Sequence, residues 1–114
     1  MLKSLTKNEK KLISFFSEKS SEEVCGAIVK PSVGGRKIFP LKNISKQSEV
    51  HFLTNFYDVE NLKKVGKILA FYHSHPSSSH ELSEEDIFIS NKTQYSTVVY
   101  SKVTKKFSIY NPID

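Results

Sequence analysis

The sequence predicts a mixed α/β (α+β) fold, a single domain built as a mixed β-sheet flanked by helices. Three observations lead there. Apolar segments follow the order helix, strands, helix, strand, helix, strands, which suits a mixed sheet with helices packed around it. The 114 residues suit one domain, 1–114, and are too few for two ordinary ones. No internal repeat or linker-like stretch divides them.

The elements follow in order. Residues from about Thr6 to Lys19 read as a helix, with Leu5, Leu12, Ile13 and Phe16 near one face among Lys, Glu, Asn and Ser. Glu23 to Lys30 reads as a buried strand, broken by Pro31-Ser32-Val33-Gly34-Gly35. Gly-Gly between two apolar runs is a hairpin signal, so Arg36 to Leu41 is the return strand. Val50 to Leu53 suits a short extended piece. Asn55 to Lys64 reads as a second helix, capped by Asn55 and ended by Gly66, with Phe56, Val59 and Leu62 on one face. Lys67 to His75 is a strongly apolar strand with a polar end, and Pro76 to His80 is a loop. Ser83 to Asn91 reads as a third helix, and STVVYSKV with KFSIY as a closing hairpin.

Composition excludes several classes. The net charge is +5, yet 16 of the 17 cations are Lys, scattered in ones and twos. A nucleic-acid reader usually carries more Arg, and neither basic-aromatic interleaving nor zinc-finger spacing is present, so no specific nucleic acid is expected. The one cysteine, Cys25, cannot form an intrachain disulfide. The N-terminal stretch lacks a continuous apolar run and a small-residue cleavage site, and no window suits a membrane span. These features point to a cytoplasmic protein that does not engage membranes.

The chemistry concentrates at His73-Ser74-His75-Pro76 and Ser83-Glu84-Glu85-Asp86. Side chains at i and i+2 of a strand share a face, so His73 and His75 project together as a natural zinc chelate. Asp86, in the first turn of the next helix, can turn back to supply an oxygen ligand. Three protein ligands leave one tetrahedral position open, the arrangement of a catalytic rather than a structural Zn2+ site. A nearby carboxylate must then move the proton. Glu23 is the candidate base, with Glu22 as its competitor, since neighbours on a strand point oppositely. Ser83 can donate to the oxyanion of the attacked carbonyl. Other readings stand beside these. Ser83 and Asp86 also form a capping box that needs no metal. Cys25 reads as a small buried residue rather than a nucleophile. His80 reads as an exposed loop residue, and Ser74 faces away from the His pair, as filler or as support for the strand end.

His-x-His, seven residues, Ser, two residues, Asp resembles the motif of the JAMM (JAB/MPN) zinc metallopeptidases, here His73-Ser74-His75, Pro76 to Leu82, and Ser83 to Asp86. Glu23-Val24-Cys25-Gly26 resembles the family's upstream Glu-x-Cys-Gly and selects Glu23 as the base. The resemblance covers roughly Glu22 to Tyr110 in element order. It implies a curved sheet flanked by helices, similar to cytidine deaminases. It also implies a zinc-dependent peptidase or isopeptidase with His73, His75 and Asp86 as ligands. The implied partners are a protein or peptide substrate: a ubiquitin-like or carrier-protein tail, or a phage structural protein. The short chain suits the compact prokaryotic and phage branch, without the insertions with which eukaryotic deubiquitinases grip ubiquitin. A catalytically silent scaffold, for example in phage tail assembly, is the alternative.

Overall fold

The computed structural model describes residues 2–43 and 56–113. Eight elements follow one another: α1 (Lys7–Glu18), β1 (Cys25–Pro31), β2 (Lys37–Leu41), α2 (Phe56–Val65), β3 (Gly66–His75), α3 (Glu84–Thr93), β4 (Ser96–Ser101) and β5 (Phe107–Tyr110). The five strands form one sheet in the order β2-β1-β3-β4-β5. β3 and β4 are parallel, joined across α3, and the remaining pairs are antiparallel. The fold is therefore mixed α+β, as the element order predicts. The expected extended piece at Val50 to Leu53 and the cap at Asn55 lie outside the described residues.

Strand alternation sorts the core into two layers. Ile28, Ala70, Tyr72, Val98 and Tyr100 pack with Leu2 and Ile13 on the α1 side. Ala27, Val29 and Ile68 pack with Leu62 of α2 on the other. Each fully buried aliphatic side chain contributes about 1.5–3 kcal/mol. Gly26 lets β1 approach this core, because a Cβ there would overlap the ring of Tyr72. The Tyr72 hydroxyl is buried without a hydrogen-bond partner among the described residues.

Helix α1 begins at a capping box: Glu9 N–H donates to Thr6 Oγ1 (3.1 Å) and Thr6 N–H to Glu9 Oε1 (2.9 Å). Glu9 falls on the face read as polar yet is buried, because Arg36 also clasps it, with Nε donating to Oε2 at 2.9 Å. Gly66 ends α2 and begins β3 at once, with no loop between. A side chain there would strike the backbone of Lys30 and Pro31, so the glycine is required by close approach. The first strand starts at Cys25, two residues later than the sequence suggests. Ahead of it, the Ser20 hydroxyl accepts from Glu22 N–H (3.1 Å) and bends the chain.

Candidate metal centre

His73 and His75 end β3, on the sheet face that carries α2, and both are buried. Their ring centroids are 5.2 Å apart. Asp86 reaches them from the first turn of α3: His73 Nε2 lies 3.1 Å from Oδ1 and His75 Nε2 lies 3.3 Å from Oδ2. The ligand atoms of these three residues all fall within 4.8 Å of one another, so the cluster could hold a metal ion. The donor chemistry fits. The contact of 2.8 Å between His75 Nδ1 and the Ser79 carbonyl oxygen makes Nδ1 a donor and turns Nε2 toward the cluster, where it donates to Asp86 while protonated and would offer its lone pair to a metal once that proton is lost.

The cap and the cluster share Asp86. Asp86 N–H donates to Ser83 Oγ (3.1 Å), and Ser83 N–H donates to Asp86 Oδ2 (3.0 Å). Ser83 Oγ acts there as an acceptor, which leaves its hydroxyl hydrogen for another partner. Burial works to raise the pKa of Asp86. Hydrogen bonds from His73, His75 and the Ser83 backbone overcome it and hold the carboxyl well below the usual range. Burial likewise opposes charge on His75, but Asp86, the Ser79 carbonyl and Glu23 raise its proton affinity.

Glu23 is buried and Glu22 exposed, so Glu23 is the one of the two that turns inward. Ser74 N–H donates to the Val24 carbonyl (3.0 Å) and Val24 N–H donates to Ser74 Oγ (2.9 Å), extending the pairing of Cys25 with His73. One further step of that register sets Glu23 across from His75 on the same face. Burial pushes the Glu23 carboxyl up to about 7, with His75 lowering it and Asp86 and Glu85 raising it. Cys25 is buried, its Sγ 3.6 Å from the Leu41 carbonyl, and burial and then Glu23 push its thiol up to about 12. A thiol so held is no nucleophile.

Residues 7–110 match the family model described as prokaryotic homologs of the JAB domain. The chain belongs to that family.

Solved structures agree on the JAB fold. The solution structure of protein DSY2949 from Desulfitobacterium hafniense is similar with a TM-score of 0.65 and 21% identity, over 91% of this chain and 78% of that one. The crystal structure of AF2198, a JAB1/MPN domain protein from Archaeoglobus fulgidus, is similar with a TM-score of 0.55 and 17% identity, over 90% and 83%. No curated protein matches the chain.

Within this JAB domain, one sequence expectation needs correction and others were missed. His80 is half-buried rather than an exposed loop residue, because its Nδ1 meets Thr104 Oγ1 at 2.9 Å. Ser101 pins the same loop, its hydroxyl donating to the Ser78 carbonyl (2.6 Å) while accepting from Val103 and Thr104 N–H (both 3.1 Å). Lys102 N–H adds a bond to the His75 carbonyl (3.1 Å). Asn43 Nδ2 donates to the Glu23 carbonyl (2.8 Å). No spacing rule announces Ser101 or Asn43, since their partners are distant in sequence. Only the Ser-rich loop signals the hydroxyls and carbonyls available there. Among the described residues, no helix is long and apolar enough to cross a membrane.

Proposed function

We propose that this JAB domain is a zinc-dependent peptidase or isopeptidase, with His73, His75 and Asp86 as ligands, Glu23 as general base and Ser83 as oxyanion donor. The observation that supports this most is Glu23, a buried carboxyl with proton affinity near neutrality, beside three convergent donors. Such a group can take and return a proton at ordinary pH. Zinc bound there would supply Lewis acidity to water and to the scissile carbonyl. Glu23 accepts a proton from the water that adds to the carbonyl carbon. It returns that proton to the amine nitrogen as the C–N bond breaks, leaving a carboxylic acid and an amine. The hydroxyl of Ser83 donates to the carbonyl oxygen as negative charge develops. Ser74 holds the segment that carries Glu23, and Ser79 holds the ring of His75. Substrates are protein tails: a ubiquitin-like or carrier-protein tail, or a phage structural protein.

The test is metal content by elemental mass spectrometry, wild type beside His75→Ala, followed by hydrolysis of a peptide and isopeptide panel. Wild type should hold stoichiometric zinc and His75→Ala should lose it. Glu23→Gln should keep zinc and lose activity by about 10²–10⁴-fold, the usual share of a general base. Undiminished activity in Glu23→Gln would refute the assigned base.

A second reading has its own support. The Ser83–Asp86 capping box serves α3 whether or not a metal binds, and a silent assembly module would keep it. Wild type without zinc after added ZnCl2 would favour it.

A further inference from the structure

Helix α3 leaves much of its apolar surface uncovered. Ser90 is its one buried residue, while Phe88 is 63% and Ile89 44% exposed. The helix does not seal against the sheet. Between them runs a cleft of about 250 Å³, walled by Val59 of α2, Phe71 of β3, Ile89 and Thr93 of α3, and Tyr95 and Thr97. Phe71 and Tyr95 meet edge to face there, centroids 5.3 Å apart. His73 and Asp86 belong to the same wall, so anything seated in the cleft lies against the candidate ligands.

We propose that this cleft is a specificity pocket for one bulky apolar side chain, Leu, Met or Phe, of the substrate residue beside the scissile bond; the proposal rests on the hydrolase reading. Size selects the occupant. A cavity of about 150 Å³ holds benzene, so the larger cleft takes one aliphatic or aromatic side chain and is too small for a helix face. Chemistry selects it too. Apart from His73 and Asp86, the wall offers aliphatic and aromatic groups and two threonines, whose Thr93 hydroxyl already donates to the Ile89 carbonyl (2.8 Å). A carboxylate side chain would be desolvated there beside the like charge of Asp86. A glycine at that position would leave the cleft unfilled and bind more weakly. Ile89 gains the most, because an apolar occupant covers surface the fold leaves exposed.

Amino-acid hydroxamates test this, since the hydroxamate anchors on zinc and places the side chain alongside. Titration calorimetry of zinc-loaded wild type should show leucine and phenylalanine hydroxamates binding at least tenfold tighter than glycine or aspartate hydroxamate. Ile89→Ala and Thr93→Trp, both at surface positions, should erase that preference while zinc content stays unchanged. Zinc binding and peptide cleavage with no preference would overturn the pocket and leave the hydrolase standing. If wild type takes up no zinc, the hydrolase reading fails. The pocket is then read by NMR titration with N-acetyl-leucine methylamide and its glycine counterpart. Shifts at Ile89 and Thr97 with the leucine compound alone would sustain an apolar side-chain site. Equal shifts, or none, would overturn it.

Discussion

Glu23 meets two demands that conflict. A base must be reachable and close to neutral in proton affinity, yet burial costs the folded state whenever the group ionises. The folded protein holds this proton up to about 7 against the usual 4.5, more tightly than the unfolded chain. No penalty acts below pH 4.5. The penalty then grows as pH rises toward 7 and is constant above it. In chelator-treated protein, Glu23→Gln should therefore gain on wild type across that window, by on the order of 3 kcal/mol. Urea melts at pH 4.5 and pH 8 measure it, and a pH-independent difference would contradict the burial. This residue was legible in sequence through its spacing to Cys25-Gly26. Its partner Asn43 was not, because a single Asn beyond a strand carries no signal of what it will bond.

At the scale of elements, the loop after β3 does more than connect. Its Ser79 carbonyl orients His75, and the turn between β4 and β5 holds the loop and the end of β3 through Ser101, Thr104 and Lys102. Ser101→Ala removes three hydrogen bonds at a fully buried position. The expected cost is about 1–3 kcal/mol, from carbonyl and amide groups left unsatisfied. Under the zinc reading, ligand support of this kind is worth about 10–100-fold in metal affinity. Competition with a chromophoric chelator, on Ser101→Ala beside the half-buried α1 variant Ser14→Ala, checks both figures. Equal affinities would show that the hairpin does not steady His75. Element order and most strand limits were readable from period and punctuation. The late start of β1 was not, because the Ser20 turn and the Ser74 hydroxyl replace ladder bonds with side-chain bonds that period analysis does not register.

For the whole molecule, the three candidate ligands come from two elements that the unfolded chain does not hold together. Any ion that prefers this arrangement therefore stabilises the fold. At a free concentration a hundredfold above Kd the gain is about 2.7 kcal/mol, about 10 °C in Tm for a domain of this size. Thermal melts with zinc and with chelator should differ accordingly in wild type and coincide in His73→Ala. Coincident melts in wild type would reduce the cluster to a hydrogen-bonded clamp of α3 on the sheet. The His pair and Asp86 could be read from sequence because strand alternation and helix capping are local rules. The apolar cleft could not, because it arises where α3 fails to close on the sheet, and that failure is a tertiary fact.

The double duty of Asp86 has a genealogical consequence. A lineage that gave up hydrolysis would release its histidines from selection, while the helix cap would go on protecting the aspartate. The signature would decay from one end. Among descendants of such a domain, the surviving aspartate testifies to folding, and the paired histidines are the better witness to chemistry.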